Sequence, residues 1–339
     1  MTRSKHIVVI GASAGGIEAL RALVAALDEE FPAPICVVLH SAPEAPGVLD
    51  AILTRAGRLP ATNAANGERL QPGHIYVAPP DFHLVVEPGL VRVTKGPREN
   101  RFRPAIDPLF RSAAQVYGPG AIGVILTGSL DDGTDGLWAI KQLGGCAIVQ
   151  DPLEALFPSM PQNAIDHVNV DYILPLAEIA PMLARLTSVP VEPVAAARVT
   201  DVLRVEVKIA MEENPIDAGL ERIGTPSNFS CPECHGVLLE LKEGTRTKFR
   251  CHTGHAYSIA SLLAAVGEGI EDSMWTAVRA LEEGHLLMTR MAEHFKVSHD
   301  SAYAEQLFDR ANEARQQSDV IRQLVMQREP LSESNKSQA

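Results

Sequence analysis

Between residues 6 and 186, short apolar β-type runs alternate with segments of helical period, and this alternation leaves few folds open. The apolar runs occupy 6–10, 35–39, 74–78, 121–126 and 147–150. After the first, Ile17, Leu20, Leu23, Val24 and Leu27 recur at the three-to-four spacing of a helix face, and 48–53 and 137–143 read the same way. Short apolar strands alternating with helices predict an α/β fold built on a doubly wound, mostly parallel sheet. One insertion breaks the rhythm. Residues 83–87 and 90–94 flank Pro88-Gly89 and predict a β-hairpin.

Beyond residue 186 the pattern changes. A chain of 339 residues exceeds one ordinary core, so further domains are expected. Residues 1–186 form the first. The Pro/Ala-rich stretch 187–200 opens a linker, 187–228, with a short helix near 203–211. A cysteine-bearing module follows at 229–258, then a helical hairpin over 259–329 with a break near 297–301. The polar tail 330–339 is expected to be disordered. The net charge is −12 and no long basic run exists, which argues against nucleic acid as a partner. A local basic site at Arg98, Arg101 and Arg103 remains open. No stretch of eighteen apolar residues occurs, so no membrane insertion is expected. The N-terminal residues lack the apolar core and cleavage site of a signal peptide, and a cytoplasmic location is the expectation.

The first strand feeds Gly11-Ala12-Ser13-Ala14-Gly15-Gly16, with a helix directly after it. Gly-x-Ser-x-Gly in a strand–turn–helix context is a nucleophile elbow: the glycines permit the tight turn, and the serine stands at the C-terminal sheet edge. The helix N-terminus offers free amides to a developing oxyanion. A dinucleotide loop is the competing reading. It requires an acidic residue closing the second strand to hold a ribose, and that strand ends Leu39-His40-Ser41. A strand-end histidine is by itself more often a surface residue. At the same edge as an elbow serine, His40 becomes a candidate general base. The strand 121–126 opens into Thr127-Gly128-Ser129-Leu130-Asp131-Asp132-Gly133-Thr134-Asp135, a third loop at that edge. It supplies carboxylates able to fix the tautomer of such a histidine, while Asp135 reads as a cap for the next helix. The order Ser…His…Asp departs from the α/β-hydrolase order.

Together these residues resemble the catalytic domain of the chemotaxis protein-glutamate methylesterases, the CheB family. The likeness runs over about 6–186, through the Val9–Gly16 elbow, the His40 strand end, His74-Ile-Tyr-Val-Ala-Pro-Pro-Asp-Phe-His83 and Arg103-Pro-Ala-Ile-Asp-Pro-Leu-Phe110. It continues in Leu126-Thr-Gly, Gln150-Asp-Pro and Ser159-Met-Pro161. The resemblance implies hydrolysis of glutamate γ-methyl esters on methylated chemoreceptors or related signalling proteins, with methanol released. In some members it extends to deamidation of receptor glutamines. It implies Ser13 as nucleophile, His40 as base and Asp132 as the orienting carboxylate, with Asp131 the near rival. It also implies oxyanion contacts from Ala14 and Ser129, and no cofactor for catalysis. One departure falls in the third loop. The family pattern Gly-Met-Gly-x-Asp-Gly becomes Gly128-Ser129-Leu130-Asp131-Asp132-Gly133, with leucine where a glycine could adopt positive φ. An adaptor with weakened catalysis, acting through its zinc and helical regions, is the alternative. The phosphorylated receiver domain of the best-known members has no counterpart ahead of His6, so control by phosphorylation in cis is not expected.

Cys231-Pro-Glu-Cys234, followed by Cys251 and His255, has the spacing of a zinc-ribbon-like module: two ligand pairs closing one tetrahedron. His235 and His252 are alternative fourth ligands. A structural zinc with four protein ligands is expected, and its removal is expected to leave a catalytic domain across the linker active. Cys36 and Cys146, in apolar runs, read as small buried hydrophobes.

Overall fold

The apolar run that opens the chain becomes β1 (Ile7–Ala12), every residue of which is buried. The computed structural model describes residues 6–191, 199–244, 246–297, 301–329 and 331. After β1 come α1 (Gly16–Ala25), β2 (Ile35–Leu39), α2 (Leu49–Ala56), β3 (Ala61–Asn63) and β4 (Ile75–Val77). The hairpin β5 (His83–Glu87) and β6 (Leu90–Thr94) pairs antiparallel, as its turn predicts. Then follow α3 (Ile106–Tyr117), β7 (Ala121–Ile125), α4 (Thr134–Gln142), β8 (Cys146–Gln150), α5 (Ser159–His167), β9 (Tyr172–Leu174) and α6 (Leu176–Ser188).

Seven of these strands form one sheet in the order β3-β4-β2-β1-β7-β8-β9, and every neighbouring pair is parallel. Successive side chains of β1 point to opposite faces. Ile7 and Val9 join a core with α3, α4 and α5, whereas Val8 and Ile10 join one with α1, α2 and α6. Burial on both faces explains why the strands read as unbroken apolar runs. The two strands absent from the sequence reading, β3 and β9, are the sheet's edges. Each has only three residues, too short a run to stand out as a strand, and β9 has no buried residue at all. Cys36 is buried as a small apolar residue, while Cys146 is only half-buried.

Beyond the sheet lie α7 (Asp201–Ala210) and two single-turn helices, α8 (Pro215–Ala218) and α9 (Leu220–Ile223). A four-stranded antiparallel ribbon follows, in the order β10 (Gly224–Ser230), β11 (Val237–Glu243), β12 (Arg246–Cys251), β13 (Ala256–Ser258). Compactness divides the chain once, at 261/262, so sheet, α7–α9 and ribbon make one unit. The boundary falls within α10 (Ile259–Val297), and α11 (Ser301–Gln327) belongs to the second unit. There His285 Nδ1 meets the Ala311 carbonyl at 2.9 Å and Phe295 packs edge-on to Tyr303, an antiparallel pairing. Half of the linker's Pro/Ala-rich stretch, 192–198, lies outside the described residues, as does the tail apart from Leu331. Among the described residues no helix is long and apolar enough to cross a membrane.

Candidate active site

The parallel register brings the first two site residues together. Ala12 pairs with Leu39, so Ser13 and His40 both leave the sheet at the C-terminal edge, and the His40 amide donates to the Ala12 carbonyl at 3.1 Å. β7 lies on the other side of β1. The order in which the chain adds strands reverses at β1, the place where open α/β sheets bind ligands.

The elbow is held by the loop after β7. Ser13 donates its amide to the Thr127 carbonyl at 3.0 Å, and Thr127 Oγ1 donates to the Ala14 carbonyl at 3.0 Å. Gln150, at the end of β8, accepts the Thr127 amide at 2.9 Å. Gly15, at φ 74°, makes the turn into α1. Gly128 serves a different purpose: a Cβ there would lie 2.8 Å from Ser13 Cβ and 2.6 Å from Met160, so only glycine lets this loop run alongside the serine.

Ser13 Oγ stands 3.0 Å from His40 Nδ1, and His40 Nε2 stands 2.7 Å from Asp132 Oδ2. A carboxylate can only accept from the ring, so Nε2 carries the proton and the Nδ1 lone pair faces the serine. Phe102 stacks on the imidazole with centroids 3.7 Å apart and fixes its plane. Asp132 is 1% exposed. It also accepts from the Ile106 amide at 2.6 Å and from Asn100 Nδ2 at 2.9 Å. Burial pushes its carboxyl up, but the His40 hydrogen bond and charge, with the donors from Ile106 and Asn100, more than offset this and hold it below the usual range. Asp107 shares Asn100 with it, accepting Nδ2 at 3.0 Å. Burial first, then the charge of Asp132, pushes the Asp107 carboxyl up to about 7.

Leu130 does adopt the left-handed conformation, at φ 64°. Its amide donates to Ser159 Oγ and its carbonyl accepts from Asn163 Nδ2, and these two bonds hold the strained turn. Gly133, at φ 91°, completes it, with Ile106 Cγ2 only 2.7 Å from where a Cβ would sit. Among the described residues the Ala14 and Ser129 amides donate to no protein acceptor; Ala14 directly follows Ser13, and Ser129 follows Gly128, the residue that runs alongside the serine. Asp131 does not join the histidine. It is half-buried and accepts from Ser258 Oγ at 2.8 Å. Asp135 does not cap α4, whose N-cap is Gly133. It pairs instead with Arg246 and Lys248 of β12.

The open side of the triad is a cleft of about 340 Å³ lined by Ser13, His40, Pro43, Arg98, Arg101 and Arg103. The three arginines allowed as a local basic site therefore surround the nucleophile. Arg103 is anchored by Asp81 Oδ1 at 2.6 Å.

The sequence reading missed Asn100 and Phe102, which lie between recognisable elements and carry no motif of their own, and assigned no role to the Ile106 amide, although Ile106 lies in the 103–110 motif. It also missed a buried ion network. Arg250, 1% exposed, meets Glu99 at 2.9 Å and Glu206 of α7 at 3.1 Å, and Arg111 of α3 also pairs with Glu99. Lys248 joins Glu206. The signal was present: Arg246, Lys248 and Arg250 alternate, which puts three cations on one face of a strand.

Cys231, Cys234, Cys251 and His255 converge, with their ligand atoms all within 4.8 Å of one another. Cys234 and Cys251 Sγ lie 3.6 Å apart, as do Cys251 Sγ and His255 Nδ1. A tetrahedron with metal–sulfur bonds of about 2.3 Å has edges of about 3.8 Å, so the four fit a single zinc-type ion. Glu233 Oε2 stands 3.3 Å from the other ring nitrogen of His255, the carboxylate–histidine pairing that orients metal ligands. The alternative ligands His235 and His252 stand outside this cluster.

Comparison with known proteins adds to this geometry. The sequence profile described as CheB methylesterase matches residues 8–183. A Leptospira interrogans protein (serogroup Icterohaemorrhagiae, serovar copenhageni), provisionally named protein-glutamate methylesterase/protein-glutamine glutaminase, is 42% identical over 180 residues, which are 53% of this chain and 93% of that protein. A Thermotoga maritima protein-glutamate methylesterase/protein-glutamine glutaminase is 37% identical over 187 residues, 54% of each chain. The crystal structure of the Thermotoga maritima CheB methylesterase catalytic domain superposes with a TM-score of 0.52 at 38% identity, covering 53% of this chain and 98% of that one.

Proposed function

The chain belongs to the CheB methylesterase family, and from that membership we infer that it is a serine hydrolase cleaving glutamate γ-methyl esters on chemoreceptors or related signalling proteins. The observation that carries this reading is the continuous hydrogen-bonded path from Ser13 Oγ through His40 to Asp132 at the open edge of the sheet.

In this reading His40 Nδ1 takes the Ser13 proton as Oγ attacks the ester carbonyl. Asp132, kept ionised by its donors, stabilises the imidazolium that forms. The Ala14 and Ser129 amides, which have no protein acceptor of their own, receive the oxyanion. Collapse of the tetrahedral species breaks the bond to the methoxy oxygen, which leaves as methanol with the proton from Nδ1. Water then attacks the Ser13 acyl ester, giving its proton to the same nitrogen, and glutamate is released as Ser13 is regenerated. Replacing methanol by ammonia as the leaving group gives glutamine deamidation by the same steps, in line with the double name of the relatives. Arg98, Arg101 and Arg103 around the cleft suit an acidic protein segment, although the chain as a whole is at −12. A cytoplasmic location belongs to the same reading, since reducing compartments keep metal-site thiols such as Cys231, Cys234 and Cys251 reduced. The adaptor reading is not favoured, since Leu130 accepts its positive φ while the path from Ser13 to Asp132 stays continuous. The test is methanol release from a methylated receptor fragment. The reading requires turnover by the full chain, and a folded chain that releases none would refute it.

A further inference from the structure

We propose that a zinc-class ion held by Cys231, Cys234, Cys251 and His255 sets the position of the catalytic carboxylate Asp132, acting through β13 and Asn100, so that the metal ribbon is a positioning element of the esterase site. This rests on the assignment of Asp132 as the orienting carboxylate of a serine esterase.

The path is short and made of named contacts. The ligand-bearing turn closes on itself, with the Gly254 amide donating to the Cys251 carbonyl and the Cys251 amide to the His255 carbonyl. Gly254, at φ 99°, lies against Pro97, and a Cβ there would be 2.6 Å from the proline ring. His255 directly precedes β13. The Ala256 amide donates to the Arg98 carbonyl at 3.2 Å, and the Ala256 carbonyl accepts the Asn100 amide at 2.8 Å. Two residues on, the Ser258 amide donates to Asn100 Oδ1 at 2.9 Å, and Ser261 Oγ donates to the same oxygen at 3.0 Å.

Asn100 is 6% exposed and sits at φ 48°. Both lone-pair directions of its side-chain oxygen are taken by the ribbon side, and this turns its amide nitrogen toward Asp132 and Asp107. The ribbon thus decides which way the Asn100 donor points, and that donor is one of four on the Asp132 carboxylate, beside His40 and the Ile106 and Asp107 amides.

Metal matters because the ribbon adds no residue to either of the sheet's two apolar cores. Its apolar contribution to a buried cluster is Leu239 and Leu241, packed on α7, α8 and α9. Its polar attachments include Arg246, Lys248 and Arg250, cations whose acidic partners belong to α4, α7 and the segment before α3, and the Ser258 bond to Asp131. A small β-module of this kind typically depends on its ion for a fixed fold, and an ion bound by all four ligands ties Cys231 and Cys234 to the turn that leads into β13. An esterase indifferent to metal loss, as the sequence suggested, does not fit these contacts.

The experiment uses the full chain and reads four quantities: zinc per chain, kcat and KM for methanol release, the rate of Ser13 labelling by a fluorophosphonate, and the low-field proton resonance of His40 Nε2–H. Wild type should hold one zinc. Cys234→Ser should lose it, with kcat and labelling falling about tenfold to a hundredfold and KM little changed, the scale of one charge-assisted hydrogen bond. Re-added zinc should restore chelated wild type. Asn100→Gly suits the positive φ and keeps the backbone bond to Ala256. It should retain zinc yet lose kcat and the resonance to the same degree, and Asn100→Gly with Cys234→Ser should fall no further. The proposal is overturned if wild type grown with ample zinc carries none, if metal-free chain labels at the wild-type rate, or if Asn100→Gly is fully active. Absence of methanol release with intact, zinc-dependent Ser13 labelling would instead count against the methyl-ester reading alone.

Discussion

The seven-stranded sheet and the four-stranded ribbon belong to one compact unit but cohere by different means. The sheet is sandwiched between two apolar clusters, and its central strand is buried throughout. The ribbon joins neither of those clusters and has instead a small one of its own with α7–α9, a cluster of three thiols and an imidazole, and cations buried against acids from elsewhere in the unit. An apolar sandwich tolerates the loss of one contact, at a cost set by the cavity left behind. A buried ion set is less forgiving: removing one partner strands a charge, which typically costs about 3–5 kcal/mol. The nucleophile belongs to the first kind of structure, since Ser13 is fixed by β1, Thr127 and Gly128. The carboxylate belongs to both, because Asp132 leaves the sheet by β7 but takes one donor from a residue gripped by the ribbon.

Variants of the two ends of the triad sharpen that contrast. Ser13→Ala should abolish turnover, with a loss on the order of 10⁶ in kcat, while thermal stability stays as in wild type. Near-normal turnover by the folded variant would end the serine mechanism. Asp132→Asn should cost about 10⁴ in kcat by presenting the wrong partner to His40 Nε2–H. Asp131→Asn should cost less than tenfold, since an amide oxygen can still accept from Ser258. Equal losses in the two Asp variants would mean that the loop carries its carboxylates jointly, and a large loss in Asp131→Asn alone would reverse their assignment.

Smaller effects test the turn between them. Leu130 sits at φ 64°, where a non-glycine residue carries roughly 1–2 kcal/mol of strain. Leu130→Gly should stabilise the chain by about 1 kcal/mol once some lost side-chain burial is subtracted, with activity equal or higher. A lower melting temperature would show that the leucine side chain contributes more than its backbone strain removes.

The smallest predicted effect is a titration. Asp107 is pushed up to about 7 by burial and then by the charge of Asp132. A carboxyl whose folded value exceeds its unfolded value of 3.8 contributes stability that is full below 3.8 and is lost as pH rises through about 7. Asp132→Asn removes the second cause, so Asp107 should titrate lower and the window of falling stability should narrow. Carboxyl NMR of the two proteins measures this, and an unchanged Asp107 would disprove the coupling.

Sequence made the sheet legible because burial on both faces leaves an unbroken apolar run, and the elbow legible because Gly15 makes the turn and Gly11 leaves room for Ile106 beside the strand end. His40 and the 128–133 loop followed from sharing an edge. Asn100, Phe102 and the Ile106 amide act through position alone: any asparagine, aromatic ring or backbone N–H would look the same in a sequence. The ribbon's cations alternate along β12, but their partners Glu99 and Glu206 come from distant segments, so only the fold joins them. Leu130 looked like a defect in the loop, and its hydrogen bonds to Ser159 and Asn163 are what reconcile it with positive φ.

The most direct test of the account is where an electrophile lands. Treated with a fluorophosphonate and digested, the full chain should carry one label, on the peptide containing Ser13, and His40→Gln should all but suppress it. A label on any other serine, or unreduced labelling of Ser13 without His40, would contradict an activated nucleophile at the elbow.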